Sequence, residues 1–219
     1  MGPLAAATAL AEVRRARADE AGAVALLLHA SGADMYDRFT GGRERALRVL
    51  ERAFSEPGNL ASSECVWVAE VDGELAAAMA GFPVDEAARR SRAFLRLALR
   101  GSRPWRWPVS LRLYQVGGRA SPSPPASAFY IDALATAERF RRRGAARALL
   151  AEAERQARAR KLPCVALDTT IPNQTARALY AREGYDEVAY RPAARGLPGF
   201  VALVKRLDQP SIGGGRAMT

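Results

Sequence analysis

The stretch RFRRRGAARALL, residues 139–150, joins a cluster of arginines to a helix-like run through a single glycine, Gly144. The first amides of a helix have no partner inside it, and the helix dipole adds positive potential there. Gly144 has no side chain to keep an anion away from those amides. The stretch therefore predicts an anion site built from backbone amides. Its spacing fits neither the GxGxxG pattern of dinucleotide-binding folds nor the GxxxxGK pattern of P-loops.

The arginines around Gly144 also fit two other interpretations, a basic patch for nucleic acid and a solvated helix end. The formal net charge is +10, and all but two of the 33 basic residues are arginine. Because alanine is abundant too, the arginine count reflects a GC-rich coding sequence as much as a function. Charge by itself favours binding of anions, which include phosphorylated cofactors as well as nucleic acid.

The elements that must position this loop follow from hydrophobic periodicity and turn signals. Two strand-like runs within residues 65–84 meet at Asp72-Gly73, a strong hairpin signal. The segment SGADMYDRFTGG, residues 31–42, is loop-like. Further strands are predicted at 13–17, 128–135, 164–170, 185–191 and 199–207, and helices at 20–30, 43–54, 145–160 and 173–184. This alternation predicts an α/β sheet packed on helices.

Residues 86–127 interrupt the regular pattern. Residues 89–101 predict a basic amphipathic helix, two tryptophans follow, and SPSPPAS at 121–127 is a connector. We interpret the segment as an insertion or lid within one domain of residues 1–209, followed by a flexible tail at 210–219. Its interleaved arginines and aromatics also favour an alternative, a basic nucleic-acid-binding or regulatory protein. Against that alternative, no nucleic-acid-binding module is recognisable.

Three motifs together resemble one enzyme family, the GNAT superfamily of N-acetyltransferases. RRRGAA at 141–146 is similar to its loop signature of Arg or Gln, two residues, Gly, one residue, and Gly or Ala. "LAT" at 134–136 occupies the place of the strand end that precedes this loop in the family. NQTARALYAREGY at 173–185 is similar to its Asn-xx-Ala-xx-Leu-Tyr-xxx-Gly-Phe/Tyr helix. The resemblance covers residues 129–207 well and the first half in outline.

The resemblance implies an α/β fold with a mixed, mostly antiparallel central sheet, flanked by helices and splayed at an acyl-CoA site. It implies an acyl-CoA-dependent N-acyltransferase that moves an acetyl group from acetyl-CoA directly to a primary amine. The loop amides would bind the CoA pyrophosphate, and the strand end would pair with the pantetheine as an added strand does. The cofactor-binding residues implied are Leu134, Ala135, Thr136, Arg141, Arg142, Arg143, Gly144, Ala145, Ala146 and Asn173.

Amine acetylation needs a neutral amine and a group that protonates or stabilises the leaving thiolate. By the resemblance, Tyr180 matches the helix tyrosine proposed as that acid. Tyr130 and Asp132 lie on the strand where several family members place a catalytic or water-ordering residue. Asp132 is the candidate base, with a pKa that rises if it is buried. A capping or ion-pairing role for Asp132 and a packing role for Tyr180 are the alternatives.

Acceptor binding is expected in the segment 31–39, where the family commonly shapes that site. Asp34 and Asp37 would attract a cationic amine, with Tyr36 and Phe39 as walls. The alternative is a polar surface loop with two ordinary turn aspartates. For the tryptophans of the 86–127 segment, packing is the default role of aromatic side chains.

The cysteines, the single histidine and the lengths of the apolar runs bear on metal binding and on cellular location. Cys65 and Cys164 lie in apolar, strand-like surroundings, so we expect their thiols to be buried. We expect His29 to have a packing or capping role. Without a CxxC or a histidine cluster we expect no metal. No apolar run reaches eighteen residues and no basic leader begins the chain, so we expect a cytoplasmic protein without a membrane partner. We expect a small-molecule or peptide amine acceptor and no specific nucleic acid, and the resemblance leaves a homodimer open.

Overall fold

The computed structural model describes residues 11–194 and 196–207, without the side chains of 117–120. Residues 210–219, predicted as a tail, lie outside this range, as does the start of the chain. The described strands are β1 Glu12–Arg15, β2 Val66–Val71, β3 Glu74–Pro83, β4 Ala128–Thr136, β5 Cys164–Thr170, β6 Asp186–Arg191 and β7 Phe200–Arg206. The described α-helices are α1 Ala21–Ser31, α2 Ala33–Thr40, α3 Arg43–Ser55, α4 Val84–Arg100, α5 Trp107–Ala120, α6 Ala145–Ala159 and α7 Gln174–Arg182.

The seven strands form one sheet in the order β1-β2-β3-β4-β5-β7-β6. All neighbours are antiparallel except β4 and β5, which are parallel and joined through α6. Asp72 and Gly73 both have positive φ, 54° and 76°, as the tight turn between β2 and β3 requires. The mixed, mostly antiparallel sheet predicted from the sequence is therefore confirmed.

Helices cover both faces of the sheet. On one face, Leu149 and Leu150 of α6 are fully buried against Phe129 of β4. On the other face, α1 and α3 bury Leu28 and Phe54 in a second core. Each such side chain contributes about 1.5–3 kcal/mol by leaving water, so the two cores fix the sheet between rigid layers.

The segment that joins α1 to α3 is helical, so the expectation of a loop at 31–42 is wrong. Helix α2 is bounded by Gly32 and by Gly41, whose φ of 92° ends the helix in the left-handed conformation. Phe39 and Thr40 of α2 are buried. Packing of this short amphipathic face stabilises a helix whose polar, glycine-flanked sequence does not predict one.

The segment between β3 and β4 contains the predicted basic helix, α4, and a second helix, α5. Phe94 and Leu97 attach α4 to the core below it. Helix α5 packs on α2, where Ser110 Oγ donates a hydrogen bond of 2.9 Å to the carbonyl of Phe39. Trp105 is 69% exposed, so it does not have the packing role expected for an aromatic side chain.

Among the described residues, no helix combines the length and apolar character that a bilayer crossing requires.

Candidate active site

Strands β4 and β5 pair over only part of their lengths. Their parallel ladder ends at the pair Ile131–Leu167. Beyond that pair, β4 continues along β3 to Thr136, whereas β5 continues along β7 to Thr170. The strands diverge there, so the edge of β4 at residues 132–136 that faces β5 has no strand partner within the described chain. The predicted splay is confirmed.

A β-bulge in β4 marks the start of this divergence. Ala80 pairs with Ala133, but the next residue, Gly81, pairs with Ile131, which leaves Asp132 as the extra residue. A bulge bends its strand and re-aims the side chains that follow. Gly81 permits the close approach, because a Cβ there would lie 2.7 Å from an aromatic ring carbon of β4.

A cleft opens between the diverging strands, and α7 forms one of its walls. Four residues predicted from the sequence meet in it: Asp132, Leu134, Asn173 and Tyr180. The full lining is Ser31, Ile131, Asp132, Ala133, Leu134, Leu167, Asp168, Thr169, Asn173, Ala176 and Tyr180. Predicted acid, base and cofactor-binding residues from β4 and from α7 with its N-cap thus share one surface.

Two carboxylates, Asp132 and Asp168, lie in this cleft. Burial, with the charge of Asp168 as a smaller cause, raises the pKa of Asp132 to about 7. Burial also raises the pKa of Asp168, and a hydrogen bond from Tyr130 offsets part of that rise. An aspartate with a pKa near 7 can hold or release a proton at neutral pH, which ordinary aspartates cannot.

Asp168 is the site residue that the sequence analysis missed. It accepts a hydrogen bond from the Tyr130 hydroxyl, whose pKa is raised by burial and by this carboxylate. Asp132 and Asp168 each follow directly after the last residue of the parallel ladder on their strand. The sequence signal was an acid closing the apolar run CVAL, just as Asp132 closes the run FYI.

Tyr180 projects from α7 into the cleft and is only 7% exposed. Burial, more than the charge of Asp168, raises the pKa of its phenol to about 12. The ring of Tyr185 lies beside it, with centroids 6.0 Å apart. The phenol is therefore neutral at physiological pH and carries a proton that it can donate.

The loop before α6 has the backbone that an anion cradle needs. Gly144 is left-handed, with φ 83°, and a Cβ at this position would meet nothing within 4 Å. Arg142 is left-handed as well, with φ 64°, a strained conformation for a residue with a side chain. Where left-handed residues follow right-handed ones, successive amides can point toward one place, and such concavities bind anions.

The arginine side chains of this loop divide into two groups. Arg139 pairs with Glu74 and Arg143 with Asp72, so both attach the loop to the β2–β3 hairpin. Arg141 approaches only Glu138, at 3.8 Å, and both of those side chains are largely exposed. The loop is thus held by two arginines, while the exposed Arg141 and Arg142 side chains surround the cradle.

Asn173 has a structural role in addition to its place in the cleft. Its Oδ1 accepts a hydrogen bond of 3.2 Å from the amide of Ala176, which caps α7, and its Nδ2 donates to Thr169 Oγ1 at 3.3 Å. Ala135 and Thr136 continue the open edge of β4 without lining the cleft itself.

The residues predicted to bind the acceptor are dispersed. Asp34 is 81% exposed and lies 3.6 Å from Arg38. Asp37 bonds to buried His29, with 2.7 Å between Oδ1 and Nε2. Tyr36 points inward, where burial and the charge of Asp132 raise the pKa of its hydroxyl. Of this set, Tyr36 is therefore the residue next to the cleft.

The two cysteines are buried and free, as expected. Within the described ranges, no group of three or more histidine, cysteine or acidic side chains is arranged to hold a metal ion.

Comparison with known protein families identifies the family of this chain. The model of the acetyltransferase (GNAT) family matches residues 32–185, which is more than half of the chain. No curated protein sequence matches significantly.

Solved structures match the fold at low sequence identity. An acetyltransferase crystal structure is 20% identical with a TM-score of 0.65, covering 90% of this chain and 100% of the other. An N-acetyltransferase from Staphylococcus aureus Mu50 is 18% identical with a TM-score of 0.69, covering 88% and 99%. The ribosomal-protein-S18-alanine N-acetyltransferase from Escherichia coli is 12% identical with a TM-score of 0.54, covering 93% and 98%.

Proposed function

The chain belongs to the GNAT acetyltransferase family, and we propose that it transfers an acetyl group from acetyl-CoA directly to a primary amine of a small molecule or peptide. The observation that carries this proposal is the cleft at the splay, where an open strand edge, two carboxylates and a buried phenol converge. The domain of residues 1–209, with 86–127 as an insertion, is part of the same proposal.

The residues fit acetyl-CoA in two ways. The left-handed Gly144 leaves open space where a phosphate approaches the first amides of α6, from Gly144 to Ala146. The free edge of β4 at Leu134 to Thr136 offers backbone groups to the amides of the pantetheine arm. When bound, acetyl-CoA supplies the activated acetyl thioester.

Tyr180 donates a hydrogen bond to the thioester sulfur in the proposed mechanism. As the new C–N bond forms and the C–S bond breaks, negative charge develops on sulfur, and a fixed donor in a dry cleft stabilises it. With a pKa of about 12, the phenol keeps its proton until that charge appears.

Asp132 receives the proton that the amine loses. Its pKa of about 7 makes it a stronger base than an ordinary aspartate while it remains ionised in a useful fraction at neutral pH. Asp168, held by Tyr130, adds a second negative charge in the same cleft. Two carboxylates favour acceptors that arrive as ammonium ions, so cationic amines form the first set to test.

The direct test is an amine panel with release of free thiol as the signal, beside calorimetric titration with acetyl-CoA. Micromolar affinity for acetyl-CoA and amine-dependent thiol release are expected. Tight binding without turnover on any amine would leave a cofactor-binding protein and overturn the proposed reaction.

Replacement of Tyr180 by Phe removes the proposed hydrogen-bond donor. We expect kcat to fall about 10²- to 10⁴-fold with little change in the affinity for acetyl-CoA, because the ring still packs on Tyr185. Single-turnover thiol release measures this effect. Full turnover by the variant would eliminate Tyr180 as the acid.

Replacement of Asp132 by Asn tests the base through its pH dependence. In the wild type, kcat/KM should rise with pH through about 7 as Asp132 ionises, and the variant should lose that limb. An unchanged pH–rate profile would remove Asp132 from the mechanism.

The unfolding of the same variant provides a control, because the sign of its change in stability with pH is known. Because folding raises the pKa of Asp132 from 3.8 to about 7, its contribution to stability is full at low pH and is lost as pH rises through about 7. Asn should therefore raise the free energy of unfolding at pH 8, by ~4 kcal/mol at most, and have little effect at pH 4. Urea unfolding at both pH values separates lost catalysis from lost folding.

A further inference from the structure

Residues 87–127, which contain most of α4 and all of α5, carry almost the whole net charge of the protein. Between residues 87 and 127 there are nine arginines and no aspartate or glutamate, so the rest of the chain has a net charge of only about +1. The first acid after Glu86 is Asp132, inside the cleft. One segment of a nearly neutral protein is thus strongly basic.

The arginines of α4 form a row on its outer side. Arg92, Arg96 and Arg100 are four residues apart and exposed, whereas Phe94 and Leu97 on the inner side are buried. The salt bridges formed by α4 belong to Arg89 and Arg90 in its first turns. Within the described chain no carboxylate pairs with the exposed row, so its charge faces solvent.

Apolar side chains are exposed next to this row. Trp105 is 69% exposed, Trp107 43%, Val109 47% and Leu111 40%. They lie on the turn after α4 and the first half of α5, and the indole of Trp107 is fixed by a hydrogen bond of 3.0 Å to the carbonyl of Leu99. Exposed apolar clusters with a basic border mark interaction surfaces.

From this combination we propose that the α4–α5 face, meaning the Arg92–Arg100 row and the exposed ones among residues 103–112, docks on bilayers that contain anionic lipids. Arginines are attracted to the negative surface of such a bilayer. Tryptophans prefer the headgroup level, and short apolar side chains of a helix lying in the plane enter just below it. The proposal rests on this surface and not on the acyl-transfer reaction.

Two other occupants fit the face less well. A second copy of the chain would place the same acid-free surface against itself, because a two-fold interface is self-complementary, and like charges would oppose it. Nucleic acid could bind the arginines through its phosphates and stack its bases on tryptophan, but it has no apolar interior in which Val109 and Leu111 could be buried. A bilayer satisfies both the charge and the apolar side chains.

Docking here would bring the cleft to the membrane surface. Helix α5 packs on α2, and the connector after α5 places Ser121 next to Asp168. The proposal departs from the expectation of no membrane partner, which rested on the lack of a long apolar run and of a basic leader. A docked helix lying in the bilayer plane needs no such run.

The test is co-sedimentation of the full chain with vesicles of phosphatidylcholine alone and of phosphatidylcholine with phosphatidylglycerol. We expect binding only to the anionic vesicles, with a blue shift of tryptophan fluorescence. Because Trp67 is 3% exposed inside the sheet, that shift reports on Trp105 and Trp107. Equal binding to neutral and anionic vesicles, or to neither, would overturn the proposal.

Variants locate the contact. Arg96→Gln with Arg103→Gln should weaken partitioning roughly 30-fold, at about 1 kcal/mol for each arginine near the surface. Trp105→Ala should weaken it roughly tenfold through lost apolar burial. The matched controls are Arg155→Gln with Arg158→Gln on α6, at the opposite face of the sheet, and Val188→Ser, a 56% exposed valine of β6.

Each remaining outcome decides the proposal. If both arginine pairs weaken binding equally, net charge and not this face is responsible, and the proposal is wrong. The same holds if duplex DNA binds at physiological salt more tightly than the anionic vesicles, or if sedimentation shows a dimer that Trp105→Ala dissociates. Circular dichroism of each variant establishes that folding is intact.

Discussion

The loop before α6 and the α4–α5 segment are both dense in arginine, yet they differ in where the nearest acids lie. In the loop, Arg139 and Arg143 reach carboxylates of the β2–β3 hairpin, far away in sequence. Along the exposed row of α4, no described carboxylate is within reach. The same side chain is therefore a structural tie in one region and a free surface charge in the other.

The two regions also differ in what would contact a ligand. In the loop the proposed contact is through backbone amides, and the backbone there is left-handed at Arg142 and Gly144. In the α4–α5 segment the backbone is largely helical, and the features that face solvent are side chains. Arginine content alone does not separate these cases, because the difference is made by backbone conformation and by distant partners.

The largest effect should come from Gly144→Val. A β-branched residue at φ 83° is strained, and its side chain occupies the open side of the cradle. Losing two charge-assisted hydrogen bonds, at about 1.5–3 kcal/mol each, would weaken acetyl-CoA binding by about 100-fold or more. Calorimetry measures this.

Gly184→Val is the matched control for that substitution, since Gly184 has a similar φ of 82° at the end of α7. It should lower stability in the same way while acetyl-CoA affinity changes far less. Equal losses of acetyl-CoA affinity in the two variants would contradict the proposed anion site at Gly144.

Replacing one arginine pair in each region tests the comparison directly, and the loop pair should have an intermediate effect on acetyl-CoA affinity. Arg139→Gln with Arg143→Gln releases the loop from the hairpin, and we expect acetyl-CoA affinity to fall roughly three- to tenfold, with stability lowered by ~1 kcal/mol or less. The Arg96 and Arg103 pair should leave acetyl-CoA affinity unchanged. If the α4–α5 pair affected acetyl-CoA binding more than the loop pair, the proposal that the loop and not the α4–α5 segment binds acetyl-CoA would be wrong.

The smallest effect should come from Arg142→Gly. Glycine relieves the left-handed strain at this residue, so the folded state should gain up to ~1 kcal/mol after the entropy cost of glycine is included. Because the amides remain in place, acetyl-CoA affinity should stay within about threefold. A tenfold loss would instead assign the Arg142 side chain a direct part in binding.

Much of the fold was predictable because its signals are local. The hairpin at Asp72-Gly73, the strand–loop–helix around Gly144 and the α7 helix closed by Gly184 each depend on turn residues and periodicity within a few positions. Helix α2 was not predictable in this way, since it is stabilised by packing on α3 and α5 and by the stacking of Phe39 on Phe94 of α4.

The site was predictable only where a motif marked it. Tyr180, Asn173 and Leu134 follow from motifs and do meet in one cleft. Asp168 has no motif of its own, and its importance comes from lying opposite Asp132 where the ladder ends. The role of Asp37 also depends on a partner eight residues away, the buried His29.

The sequence by itself determined the local elements: the Asp72-Gly73 hairpin, the glycine turn before α6 and the helix that carries Tyr180, because each of these depends on short-range backbone preferences. The mixed sheet was implied by the family resemblance, since strand order is not a local property. The tertiary structure decided which charges are free and which are paired. Electrostatic energy depends on distance in space and on burial, and neither the Arg143–Asp72 contact nor the meeting of Asp132 with Asp168 is encoded by spacing along the chain.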